Sequence, residues 1–210
     1  MKTSIMQGTV QKIANSRGDI DRLRREKNNL RRLAQTGLVP QLFRQRPDRL
    51  ELEYIAGESM EQWLHLDYMA GWRAVAPPLP QALDRLRRYA TLEQALLRAG
   101  GLWRVTSRRG TYETMAPEEF TVGSRLTART ASYRFAIVAH LVLAGCLPFR
   151  SVPQRWRAYR NRRCPAAIAP QLPAPVRRVL AASLQCQPAR RHSDPARLMQ
   201  ALERAYAQYK

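Results

Sequence analysis

From Leu50 to Tyr54 apolar and acidic residues alternate one for one, Leu50-Glu51-Leu52-Glu53-Tyr54, the period-two pattern of a strand with one buried face. Lys2–Met6 and Thr9–Ala14 predict two further strands, turned back on each other at Gln7-Gly8. A different spacing follows. Leu23, Leu30 and Leu33 recur at helical intervals with Glu26 among them, while Arg22, Arg24, Arg25, Arg31 and Arg32 fall mostly outside that face. Asp19 or Asp21 is the expected cap of this helix and Gly37 its end. Leu38–Arg44 is expected to be a strand and Pro47-Asp48 a turn, so residues 1–57 read strand, strand, helix, strand, strand.

Past Gly57 the helical period takes over. Ser59 is placed to cap a short helix through Met60, Trp63 and Leu64. After the break Pro77-Pro78-Leu79-Pro80, a helix carries Leu83, Leu86, Tyr89, Leu92, Leu96 and Leu97 and stops at Gly100-Gly101. Ser107–Thr121 has no period. Tyr133–Ala144 is apolar on nearly every side, the mark of a helix surrounded by core, and Gly145 and Pro148 close it. Val176–Leu184 and Ala196–Tyr209 predict two last helices. The expected class is α+β: a small lobe, 1–57, of antiparallel strands around one helix, then a mainly helical lobe, 58–210.

Composition adds a core and an imbalance. Hydrophobic residues make up 45% of the 210, enough to exclude a wholly disordered chain. The longest uncharged run, Phe135–Phe149, falls short of the roughly 18 residues that a membrane helix needs and contains His140. Met1–Met6 lacks the apolar stretch of a signal peptide, so a cytoplasmic setting and no membrane partner are expected. Cys146, Cys164 and Cys186 are scattered, with neither disulfide-framework nor zinc-ligand spacing, and read as small buried hydrophobes in a reducing compartment. His65 is expected on the surface and His140 as a satisfied core histidine.

The charge is lopsided. Against 36 Lys+Arg stand 16 Asp+Glu, a formal net charge of +20, and residues 150–210 hold 13 of the bases and 2 of the acids. Arg155, Arg157, Arg160, Arg162 and Arg163, interleaved with Trp156 and Tyr159, have the composition of a polyanion-binding stripe. A solvated basic face is the plain reading of the same residues. An acidic protein partner and a nucleic acid are the two functional ones.

Several segments then resemble, in order, the protein kinases of the eukaryotic-like serine/threonine type. Val10-Gln11-Lys12-Ile13 is similar to the strand motif V-A-I-K, with Lys12 as its lysine. Glu26, in Arg25-Glu26 and ahead of Leu30 and Leu33, stands where the family's helix glutamate pairs with that lysine. Leu50–Gly57 resembles the fifth strand and hinge, which makes Leu52 the gatekeeper and the backbones of Glu53 and Ile55 the adenine contacts. Gly110–Glu118 resembles the end of an activation segment, with Ala116-Pro117-Glu118 as its A-P-E. Ala131–Phe149 is similar to the family's F-helix, and Gln187-Pro188-Ala189-Arg190-Arg191 to its late D-P-x-x-R. The resemblance implies that Arg191 bridges to Glu118 and fixes the helical lobe.

The parts that do the family's chemistry are missing. Eleven residues precede Lys12, with Gly8 their one glycine, so no G-x-G-x-x-G loop can cradle phosphates. Aligning Trp103-Arg104-Val105 with H-R-D puts Val105 at the catalytic Asp. The 11 residues from there to Ala116 cannot hold a catalytic loop, D-F-G and an activation loop. No Asp occurs between Asp84 and Asp194, and Ala131 stands at the F-helix Asp. The expectation is a pseudokinase: no metal site, no catalytic residue, and no cofactor beyond a weak, metal-independent ATP at Lys12 and Glu26. It would act as a scaffold or allosteric regulator of a protein partner, acidic or itself an active kinase. A homo-oligomer is open as well, since a shortened lobe leaves sheet edges to cover. The rivals are a residual ATP-binding phosphotransferase of unusual geometry and an Arg-rich nucleic-acid-binding protein.

Overall fold

The computed structural model describes residues 1–6, 8–69, 73–100, 103–104, 112–149, 159 and 166–209. They form two compact units, Met1–Glu58 and Ser59–Lys210, each with its own core.

In the first unit, strands β1 (Lys2–Met6), β2 (Thr9–Ile13), β3 (Leu42–Arg46) and β4 (Arg49–Glu53) make one antiparallel sheet in the order β1-β2-β4-β3. Val10 lies opposite Leu52 and Lys12 opposite Leu50, so these four share one face. Helix α1 (Arg17–Leu33) covers it: Leu23 and Leu30 pack with Leu50 and Leu52 in a small core. The cap is Ser16, one turn earlier than expected, whose Oγ accepts from the Asp19 N–H at 3.2 Å; Asp19 in turn accepts from the Asn15 N–H at 3.1 Å. A left-handed Gly37 (φ 65°) follows the helix after one 3-10 turn, Ala34–Thr36. Strand β3 begins at Leu42 instead of Leu38. Pro40 has no N–H to give a ladder, and the Gln41 N–H is taken by the Glu53 carboxylate at 3.0 Å instead of a β4 carbonyl.

The second unit is built on helices. Helix α2 (Met60–Trp63) is held by a reciprocal box between Ser59 and Gln62. Helix α3 (Leu79–Gly100) starts inside the proline run, where Pro80 sits in the first turn and costs no intrahelical bond. Two short strands, β5 (Trp103–Arg104) and β6 (Arg125–Leu126), pair with each other. Helix α4 (Ala128–Ala144) is the centre. Phe135, Ala136, Ile137, Ala139 and Val142 have no exposed surface, and α3, α5 (Ala174–Ser183) and α6 (Pro195–Ala207) pack around it. It begins five residues before the expected Tyr133, because the Thr130 Oγ1 takes up the Thr127 N–H at 3.1 Å. Gly145 ends it with φ 70°. No described helix is long and apolar enough to cross a membrane.

His140 is fully buried and bonded at both ring nitrogens. Nδ1 donates to the Cys146 carbonyl at 2.7 Å, and Nε2 accepts from the Ala169 N–H at 3.0 Å, which fixes a neutral ring. His65 is exposed. The cysteines depart from expectation: Cys146 is a free thiol, but Cys186 is disulfide-bonded. Disulfides persist in oxidising surroundings, so the cysteines do not argue for a reducing compartment.

Candidate functional site

Two ion-pair centres hold the residues singled out from the sequence, one in each unit. In the first, the period of two puts Lys12 on the helix-facing side of β2, beside Val10. Glu26 lies one turn from both Leu23 and Leu30 on α1, so burying those leucines turns its carboxylate towards the sheet. The Lys12 ammonium donates directly to Glu26 Oε1. The lysine side chain is 25% exposed and the glutamate 30%. The contact is therefore partly screened by water.

Around this pair Leu52 is buried in the small core. Glu53 is turned outward and fastened twice to Gln41: its N–H donates to the Gln41 carbonyl, and its carboxylate accepts from the Gln41 N–H at 3.0 Å. Ile55 lies beyond β4 and is 59% exposed. Lys12, Glu26 and Leu52 thus meet at one face of α1, while Glu53 and Ile55 are not drawn into it.

The second centre is closed to water. The Arg191 side chain has no exposed surface. Its Nη1 and Nη2 reach the two oxygens of Glu118 at 2.8 and 2.9 Å, a side-by-side pairing that suits the planar guanidinium. Nε donates to the Gln185 carbonyl at 2.7 Å, Nη2 to that of Cys186 at 2.8 Å, and the group lies 4.7 Å from the centre of the Tyr133 ring. Glu118 also accepts from the Thr130 hydroxyl at 2.7 Å. A buried charge pair persists only when its remaining donors and acceptors are satisfied, and these are. Ala116 and Pro117 lead into the 3-10 turn Pro117–Phe120 that carries Glu118.

The sequence alone did not point to three supporting residues here. Arg129 donates to the carbonyl of Arg191 and, at 3.3 Å, to that of Ala189, so it holds the turn from which Arg191 projects. Thr130 braces the glutamate. Glu119 accepts from the Ala116 N–H at 2.7 Å and is buried, which pushes its carboxyl above the usual range. No sequence signal was available: Arg129 and Thr130 lie in the first turn of a helix expected to start only at Tyr133, and there polar side chains reach neighbouring backbone.

Beside α4 a cavity of about 430 Å³ is lined by Leu96, Leu97, Arg125, Ala131, Arg134 and Glu93, among others. Ala131, at the position matched to the F-helix Asp, contributes no polar group to it. Among the described residues no cluster of three His, Cys, Asp or Glu is placed to hold a metal ion.

Arg155, Trp156, Arg157, Arg160, Arg162 and Arg163 lie outside the described residues, as does Val105. Tyr159, grouped with them as a stacking aromatic, is instead buried. It packs against Phe120 with ring centres 5.8 Å apart, and its hydroxyl meets that of Tyr133. It is a core residue. The chain matches no family model and no curated protein.

Proposed function

We propose that the chain is a catalytically silent relative of the serine/threonine protein kinases that works by binding a protein partner. The observation that carries this reading is the contact between Lys12 and Glu26, set on a strand and a helix as the resemblance requires, in a chain with no Asp between positions 84 and 194. The Glu118–Arg191 bridge supports it from the second unit. Phosphoryl transfer needs a carboxylate to hold Mg²⁺ and another to orient the attacking hydroxyl. Three of the four glutamates of that interval are already engaged: Glu118 by Arg191 and Thr130, Glu119 by Ala116, and Glu93 by the Tyr89 hydroxyl at 2.9 Å.

Lys12 and Glu26 then serve the fold of the small unit, and the chain's basic excess serves recognition. The reading is tested by incubating the full chain with labelled ATP and Mg²⁺, with a generic basic protein as acceptor, and by following its melting with ATP in the presence and absence of Mg²⁺. No transfer and no Mg²⁺-dependent stabilisation are expected. Transfer that disappears in Lys12→Met overturns the reading in favour of an atypical phosphotransferase. Stabilisation by ATP alone, lost in the same variant, leaves the silent reading in place and adds a nucleotide to it.

A further inference from the structure

The cavity beside α4 is walled by three elements of the second unit: the last turns of α3, the strand β6 and the first turns of α4. At about 430 Å³ it has the size of a small-molecule site. Its apolar side comes from Leu96 and Leu97 of α3 and Leu126 of β6. These leucines are half-buried, and among the described residues none of the three packs into the large core of this unit. They keep apolar surface in water that a ligand would cover. Ala131 of α4, with a single methyl, leaves the space between them open.

Three charged side chains share the wall: Glu93 of α3, Arg125 of β6 and Arg134 of α4. Glu93 is occupied by the Tyr89 hydroxyl at 2.9 Å. The arginines are less committed. Among the described residues Arg125 enters no ion pair, and Arg134 Nη1 stays 3.9 Å from Glu119, beyond hydrogen-bond length. Arg134 Nε is shielded from water and has no acceptor among them. Guanidinium donors left unmet in this way are costly, and an oxyanion supplies the missing acceptors. The 17-residue helix α4 adds the positive end of its dipole, since Thr127 and Ala128 also line the cavity. Two cations against one engaged acid match a ligand with a single negative charge, and the leucines match an apolar body. A metal ion or a cationic ligand finds one carboxylate here against two guanidiniums, and a wholly polar anion leaves the leucines wet.

We infer that this cavity binds a small amphipathic monocarboxylate, its head held by Arg125 and Arg134 and its hydrocarbon part laid over Leu96, Leu97 and Leu126. Neither ion-pair centre takes part, so the site stands whether or not the chain docks on a protein partner.

The test is equilibrium dialysis of the full chain against labelled decanoate below its micellar concentration. One decanoate per chain is expected, with Kd between about 10 μM and 1 mM for a ligand of this size. Decanol, the tail without the charge, and acetate, the charge without the tail, should each compete at least tenfold more weakly. Affinity for decanoate falls at least tenfold in Arg125→Gln/Arg134→Gln, and also in Ala131→Leu, which fills the space. It holds within about twofold in Arg178→Gln/Arg197→Gln, which removes two exposed charges elsewhere in the unit. Absence of binding, decanol competing as well as decanoate, or full affinity in Ala131→Leu overturns the inference. So do several decanoates per chain with equal losses in the two arginine pairs, the mark of adsorption to a basic surface. Circular dichroism checks the variants. If either cavity variant is unfolded, Arg125→Gln and Leu97→Ala, neither at a buried position, carry the comparison with an expected loss of at least threefold each.

Discussion

Arg191 and Glu118 lie 73 residues apart in the chain and meet as a two-pronged pair at 2.8 and 2.9 Å, with the guanidinium wholly shielded from water. Removing one member leaves a buried charge with no counterpart. Arg191→Ala is expected to lower unfolding free energy by roughly 3–5 kcal/mol, and Glu118→Gln by a comparable amount. Arg191→Lys should rescue little, since one ammonium cannot reach Glu118 and the Gln185 and Cys186 carbonyls together. Urea unfolding of the three variants measures all of this. A loss below about 1 kcal/mol in Arg191→Ala would contradict it.

The pair in the small unit should behave differently. Lys12 and Glu26 are a quarter to a third exposed, so water screens them. Lys12→Met is expected to change stability by about 0.2–1 kcal/mol. Comparing its urea midpoint with that of Arg191→Ala ranks the two centres.

Gly145 and Gly37 share a left-handed backbone but not their surroundings. A Cβ on Gly145 would lie 2.4 Å from the Ala74 carbonyl oxygen, whereas one on Gly37 meets nothing within 4 Å. Gly37→Ala therefore carries the conformational cost alone, about 1–2 kcal/mol. Gly145→Ala adds a collision with backbone and should exceed it clearly. Thermal unfolding of the two alanine variants checks the order.

Two buried groups give opposite pH slopes. Burial raises the Glu119 carboxyl above its ordinary 4.5, so the folded state keeps its proton longer than the unfolded one. Its contribution is complete below the unfolded value and is lost as pH rises through the folded one. Glu119→Gln, neutral throughout and still able to accept from Ala116, should gain on the parent as pH rises above 4.5. Burial lowers His140 below 6.5, an effect its bond to the Cys146 carbonyl offsets only in part. Stability from His140 is present above 6.5 and is lost as pH falls through the folded value. His192 moves the same way, through burial and then Arg204, so His140→Gln flattens only part of that acid limb. Urea titrations across the pH range test both.

Strands and helices were legible where period and packing agree, as at Leu50–Tyr54 and the leucines of α1. The cap of α1 was not, because Ser16, Asp19 and Asp21 are all competent and only the path of the chain from Asn15 selects Ser16. Both ion pairs came through motifs, which encode long-range contacts that periodicity cannot. Tyr159 was misjudged because its arginine neighbours suggest solvent, while its ring faces Phe120. The cysteine at 186 gave no spacing signal.

The distance along the chain between Glu118 and Arg191 also bears on how the protein is made. Lys12 finds Glu26 after 14 residues, so the small unit has all its contacts once residue 58 is free of the ribosome. Glu118 must wait until residue 191 has emerged, several seconds later at about 5–20 residues per second. Through that interval α4, apolar on most sides, has α3 to pack on but still lacks α6, and α5 until its residues emerge. The helical unit is thus the part of the nascent chain that is completed last, and a ribosome stalled before Arg191 leaves it open.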